Sequence, residues 1–439
     1  MQYETITTDR RLRDFCRELA DCPSIAFDTE FVSEHTYRPV LCLVQVAAAG
    51  QLAILDPLAV KDMMPFWETI AAPGHETIVH AGRSEVEFCL QAVDRAPAGL
   101  FDVQLAAGLT GIEYPAGYST LVSRVLDVPA KKHETRTDWR RRPLSQRQLD
   151  YSIEDVLHLQ PLRDALHARL SKLGRIEWLA EEIGTWLAQV QHAVSEDRWR
   201  RVSGNSGLDG RSLAIVRELY HWRETEAQRR NQPARRVLRD DLIIELAKRQ
   251  SADAKRIGAV RGLERGDLAK RVGQLAECIG RALNMPEQQL PRRGPRESMP
   301  QLPVLGQFLF AALGSLCRQA DLAPNLVGGP GDIRELIAYR TSASRSDRPP
   351  PQLARGWRQQ FVGRLFDDLL AGAIAVRVGD PESDHPLVLE PVAGGKVALE
   401  GVGSQEPGVR RRETARGGRT RGGRQKTGDR RQKSDDKPV

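Results

Sequence analysis

The chain has 439 residues, 40% hydrophobic and 28% charged, a balance that fits soluble globular domains and excludes collagen-like ones. No apolar run approaches the roughly 18 residues of a membrane span, and the prior of about 100–200 residues per domain predicts two to four domains. Lys and Arg outnumber Asp and Glu by 65 to 58, but residues 401–439 alone hold 12 basic and 5 acidic residues, so the basic excess belongs to the tail.

Six scattered cysteines without a CxxC pair, and a start (MQYETITTDRRLRDF) without an apolar core, predict a cytosolic protein with no cleaved secretory signal. A helix is expected over Asp9–Ala20. Strand alternation follows at Ser24–Phe31, Leu41–Val46 and Gln51–Asp56, the last two parted by Ala49-Gly50. Helical patterns then dominate to about residue 175 around one further strand, 77–80, which predicts an α/β layer fold. Residues 176–207 read as a helical connector with three tryptophans, and 208–290 as a compact helical bundle. A Pro-rich linker (291–303) leads to a further mostly helical unit over 304–392. Residues 395–439 are Gly-, Arg- and Lys-rich, contain two RGGR units, and are expected to be disordered.

Three local patterns carry chemistry. In Phe27-Asp28-Thr29-Glu30-Phe31, strand periodicity points Asp28 and Glu30 to one face, about 7 Å apart at Cα. Two such carboxylates repel and lose hydration unless a cation compensates them, and hard oxygen donors suit Mg²⁺ or Mn²⁺. Taken alone, the pair also fits two solvated acids at a strand end. In the second pattern, Ser145 and Gln148 form a capping box that starts a helix, placing Tyr151 and Asp155 at i and i+4 on one face. In the third, the strand ending at Val79-His80-Ala81-Gly82 opens a helix bearing Glu85 and Glu87, either of which is a candidate.

In this order the motifs resemble the ribonuclease D branch of the DEDDy 3′-to-5′ exonucleases. The resemblance rests on Phe27–Phe31 with Thr36-Tyr37 and Leu41–Gln45, on Leu149–Leu157 with its Tyr-x-x-x-Asp spacing, on Phe101–Gln104, and on Glu134–Leu144; it covers residues 1–175. It implies a ribonuclease H-like fold and phosphodiester hydrolysis with two divalent metal ions, Mg²⁺ or Mn²⁺. Asp28, Glu30, Glu85 and Asp155 are the implied ligands, and Tyr151 orients the attacking water. Glu85 departs from the family pattern, which has aspartate there. His80 and His158 read as packing groups. Residues 208–290 resemble an HRDC domain, which implies single-strand nucleic-acid contact near Arg229, Arg230, Arg235, Arg236 and Arg239, and the 304–392 unit resembles a second, diverged one.

The expectation is therefore an α/β ribonuclease H-like exonuclease domain followed by all-α HRDC-like domains and a disordered basic tail. Its activity would be 3′-to-5′ removal of 5′-nucleotides from RNA, with tRNA precursors as the implied substrate class. Phe31, Gln45, Arg136, Arg235 and Arg236 are expected nucleic-acid contacts. Two alternatives stay open: a DNA exonuclease with the same chemistry, and an RNA-binding protein whose site Glu85 has weakened.

Overall fold

Period-2 alternation in the first hundred residues builds a mixed six-stranded sheet in the computed structural model, which describes residues 2–129, 137–195, 198–264, 266–292, 302–341 and 349–392. Its strands are β1 (Glu4–Ile6), β2 (Ser24–Val32), β3 (Val40–Ala48), β4 (Gln51–Leu55), β5 (Glu76–Val79) and β6 (Leu100–Asp102), in the order β1-β4-β3-β2-β5-β6. The strand β2 is antiparallel to β3 and parallel to β5, and its pairing with β5 ends at Ala26. Beyond that point Asp28 and Glu30 lose their β5 neighbour, and the sheet opens into a crevice, the usual place for a ligand site in such sheets. The expected helix α1 (Asp9–Ala20) forms with the bounds read from sequence and is capped by Thr8, whose hydroxyl accepts from the Arg11 amide. The three-residue strands β1 and β6 were not expected; they are too short to show alternation.

Alternation also sorts the core. Ile25, Phe27, Val44 and Val46 point to the face covered by α1, α2 (Met64–Ala71) and α3 (Arg83–Val93), where Phe27 meets Phe66 edge-on at 5.7 Å. Ala26 and Ile78 point to the opposite face, covered by α4 (Val103–Gly108), α5 (Tyr118–Leu126), α6 (Gln146–Leu157), α7 (Leu159–Lys172) and α8 (Ile176–Ser195).

The bundle after the connector has its own core. It comprises α9 (Gly210–Arg230), α10 (Ala234–Val237), α11 (Asp240–Arg249), α12 (Ala254–Gly258), α13 (Gly266–Ala269) and α14 (Val272–Leu283), with Trp199 sealing one end. The α9 helix starts on an Asp209 cap and stops at Asn231, which takes a left-handed φ of 48°. Its C-terminal end docks on the loop after β2: the Tyr37 hydroxyl lies 3.2 Å from a Glu224 carboxylate oxygen, and the Tyr37 amide donates to Asn231 at 3.2 Å.

The last helical unit differs from the expectation of a separate domain over 304–392. Helices α15 (Leu302–Gln319), α16 (Pro324–Val327), α17 (Pro330–Thr341), α18 (Gly356–Arg358) and α19 (Arg364–Leu370) bury Leu313, Cys317, Leu336 and Trp357 in the same cluster as Val103, Leu105 and Leu166. A small hairpin, β7 (Ile374–Val378) with β8 (Leu387–Pro391), follows. Among the described residues no helix is long and apolar enough to cross a membrane. The basic tail expected over 395–439 lies outside the described residues.

Candidate active site

Asp28 and Glu30 lie on the sheet face that α6 covers, opposite Gln45 and Leu43 of β3. A register irregularity follows directly after Glu30, and pairing with β3 resumes at Phe31 opposite Leu41. The expected capping box forms: Ser145 accepts from the Gln148 amide, and the Gln148 side chain returns to the Ser145 amide at 2.9 Å. This fixes the start of α6, and with it the face carrying Tyr151 and Asp155. The Tyr151 hydroxyl is hydrogen-bonded to Asp155, and its ring lies 6.1 Å from that of Trp139.

The third contributor depends on a turn that the sequence did not make legible. Asp102, at the end of β6 and 1% exposed, accepts hydrogen bonds from the Ala81 amide at 3.2 Å and the Gly82 amide at 2.9 Å. It also caps α4 through the Gln104 amide. A side chain at Gly82 would collide with Val79. The turn thus pinned aims α3 so that Glu85 is buried and accepts a 2.5 Å hydrogen bond from the Thr29 hydroxyl. Glu87, the other candidate, stays half-exposed in an ion pair with Arg83 at 2.9 Å.

Electrostatics tie the acids together. Burial, followed by Glu85, Asp155 and Glu30, raises the Asp28 carboxyl well above its ordinary range. Burial, then Asp155 and Glu85, pushes Glu30 up to about 8. Burial carries Glu85 to about 7 against the Thr29 hydrogen bond, and Asp155 to about 7 against that of Tyr151. The charges acting on Asp28 and Glu30 are those of the other carboxylates, with no cation among them. Burial and the neighbouring carboxylates also raise the Tyr151 phenol, so it stays protonated at neutral pH.

A cavity of about 210 Å³ opens here, lined by Asp28, His80, Tyr118, Tyr151, Asp155 and Leu159. Tyr118 is a residue that sequence reasoning missed. Its hydroxyl donates to the Glu154 carbonyl at 2.9 Å and accepts from the His158 amide at 3.1 Å, bracing the end of α6. His80 bonds the Ala116 carbonyl at 2.9 Å and packs edge-on against Tyr118, in keeping with a packing role. Tyr118 belongs to no local pattern that could have revealed it.

The donor set of four carboxylates fits hard divalent cations, and the uncompensated negative charge calls for them. Among the described residues, however, no three His, Cys, Asp or Glu side chains are grouped closely enough to hold a metal ion.

The expected nucleic-acid contacts fare unevenly. Gln45 is a correction: it is 0% exposed, because α6 closes over the β3 face that carries it, so it has no surface to offer a nucleic acid. Phe31 is half-buried, edge-on to Phe88 at 5.5 Å. Arg136 lies outside the described residues. Arg235 pairs with Asp240 at 3.2 Å, and Arg236 lies 3.2 Å from His35 in the loop after β2. Arg229 and Arg230 pair with Glu226, and Arg239 with Asp241, so these cations are largely committed within the bundle.

Known proteins resemble the chain over the same regions. A family described as 3′-5′ exonuclease matches residues 3–171, and the HRDC domain family matches 212–279. Ribonuclease D of Acidiphilium cryptum is 34% identical over 376 residues, 84% of this chain and 94% of its own. Ribonuclease D of Pseudomonas paraeruginosa is 32% identical over 376 residues, 85% of this chain and 98% of its own. The crystal structure of Escherichia coli RNase D, titled an exoribonuclease involved in structured RNA processing, is similar at a TM-score of 0.74 and 26% identity, covering 85% of this chain and 99% of that one.

Proposed function

The chain belongs to the ribonuclease D family and is a 3′-to-5′ exoribonuclease, and from that premise we propose that it trims tRNA precursors using two divalent cations held by Asp28, Glu30, Glu85 and Asp155. The observation that supports this reading is the mutual charge interaction of Asp28, Glu30, Glu85 and Asp155, which no cation of the protein's own offsets at Asp28 or Glu30.

Such ions, Mg²⁺ or Mn²⁺, supply the positive charge that makes water acidic enough to attack phosphorus and that offsets charge on the departing oxygen. The residues do the rest. Asp28, on the rigid central strand, sets the position from which the other acids are measured. Tyr151, protonated and donating its one hydroxyl hydrogen to Asp155, would position the water by accepting a hydrogen bond from it, and is no base. The water oxygen bonds to phosphorus as the bond to the 3′ oxygen breaks. A 5′-nucleotide leaves, and the shortened RNA keeps a 3′-hydroxyl, so the cycle repeats at each new end. No serine, cysteine or histidine nucleophile is required. The six cysteines are free, which fits a reducing cytosolic setting.

Digestion of a 3′-extended tRNA with Mg²⁺ and with Mn²⁺ tests the reading. Wild type should give a ladder and 5′-nucleotides, while Asp28→Ala should bind the RNA without shortening it. Equal residual turnover in the two proteins would refute the assignment of the site.

A further inference from the structure

Residues 137–145, the segment that leads into α6, are tied to the sheet by one arginine. Arg142 donates from Nε and Nη2 to the two carboxylate oxygens of Asp56, at 2.6 Å each, and from Nη2 to the Cys42 carbonyl at 2.9 Å. Its Nη1 donates to the carbonyls of Trp139 at 2.8 Å and Arg141 at 2.9 Å. These five hydrogen bonds match the five N–H groups of a guanidinium, so Arg142 is committed to the protein itself.

Asp56 is the fixed end of this tie. It directly follows β4, is buried, and its amide donates to the Ile6 carbonyl of β1 at 3.0 Å. One of its carboxylate oxygens also accepts from the Leu58 amide at 3.0 Å. Burial works against its charge, yet the Arg142 guanidinium and the Leu58 amide hold its carboxyl below the usual range. Such a two-pronged contact fixes the plane of the guanidinium, where a lysine would leave the group free to turn.

The tie reaches the acids through Trp139. This buried ring belongs to the apolar cluster of Cys42, Leu43, Ile54 and Ile153, and it lies 6.1 Å from the ring of Tyr151. Ile153 and Tyr151 are both residues of α6, so this cluster is where the helix rests on β3 and β4. The Tyr151 hydroxyl in turn bonds Asp155. Gln148 of α6 adds a second link to the segment, its side-chain amide donating to the Thr137 hydroxyl at 3.0 Å. We infer that Asp56, acting through Arg142 and Trp139, is a positioning residue for the hydrolysis, setting the place of Tyr151 in the active site. The inference rests on the exoribonuclease reading above and on the role given there to Tyr151.

The test measures single-turnover cleavage of a single-stranded RNA with Mg²⁺, well below the melting temperature of each variant. Asp56→Asn should lower the rate at saturating enzyme about tenfold, while the half-saturating concentration stays within about twofold. Trp139→Leu, which keeps the cluster apolar, should do the same. The double variant should be no slower than the slower single one, because both changes cut one chain of contacts. Arg142→Lys keeps the charge but loses the fork; it should match Asp56→Asn, and it replaces that variant if its melting curve shows it unfolded. Glu76→Gln breaks a comparable fork, from Arg163 of α7 to β5 at 2.6 and 3.1 Å, and should lower the melting temperature without slowing cleavage. An unchanged rate in folded Asp56→Asn and Arg142→Lys, losses that multiply in the double variant, or an equal fall in Glu76→Gln would overturn the positioning role. Wild type that hydrolyses no RNA would instead strike the functional reading beneath it.

Discussion

Asp28 pays for its position with its charge: Glu85, Asp155 and Glu30 all act on it, and this favours whatever lowers that repulsion. Two expectations follow at the level of single side chains. Mg²⁺ or Mn²⁺ should raise the melting temperature of metal-stripped wild type, by about 2.7 kcal/mol of stabilisation at a hundredfold excess over Kd. Asp28→Asn should melt higher than wild type without metal and gain less from adding it, and differential scanning fluorimetry with and without EDTA reads both. Gln45 carries the other. Its amide nitrogen and oxygen are buried with no hydrogen-bond partner, a state that costs about 1–3 kcal/mol. Gln45→Met, similar in volume and free of polar hydrogens, should therefore raise the melting temperature; a fall would mean that the amide is satisfied in solution. Gln45 pairs with Asp28 across the strands, but its depth was decided by α6, and a polar residue in an apolar strand looks the same whether it lines a cleft or sits beneath a helix.

Between elements, charge pairs supplement the apolar core of the HRDC bundle. Glu226, on α9, accepts from Arg229 and Arg230 and pairs with Arg271 at 2.7 Å while only 7% exposed. The Arg229 hydrogen bond, with Arg230 and Arg271 behind it, holds its carboxyl down to about 2 from an ordinary 4.5. A depressed carboxylate pKa stabilises the folded state above the unfolded value and loses that contribution as pH falls through the folded one. The bundle should accordingly lose stability between pH 4.5 and 2 from this group. Glu226→Gln should flatten that part of a urea-denaturation profile against pH. The arginines near this turn were legible as a cluster, but their carboxylate partners come from α9, α11 and α13, and only packing shows how fully they are engaged.

Across the whole molecule, the C-terminal helices behave as part of the catalytic domain. Arg358 and Glu182 form a buried pair that joins α18 to α8, while Trp357 stacks on Trp178 at 5.2 Å. Glu182→Gln leaves a buried guanidinium without its counter-charge and should destabilise this shared core by about 3–5 kcal/mol. Fluorescence of a variant that keeps only Trp178 and Trp357, with the other tryptophans replaced by Phe, should be lost together with exonuclease activity on denaturation, since both rings lie in the cluster that packs on the sheet. An unchanged activity midpoint would argue that the sheet stands without these helices.

The amino-acid sequence alone determined the strands β2 to β5, the helix α1, the capped start of α6, and the Asp28, Glu30, Tyr151 and Asp155 pattern. Each is set by alternation, capping or spacing within one or two turns of chain, and such local rules act before the chain has folded. Tertiary structure buried Glu85 against Thr29 while leaving Glu87 half-exposed beside Arg83, brought Tyr118 and His80 to the cavity wall, buried Gln45, and merged the last helices into the first domain's core. Those outcomes depend on which apolar surfaces meet across more than a hundred residues, and no local periodicity encodes the choice of partner.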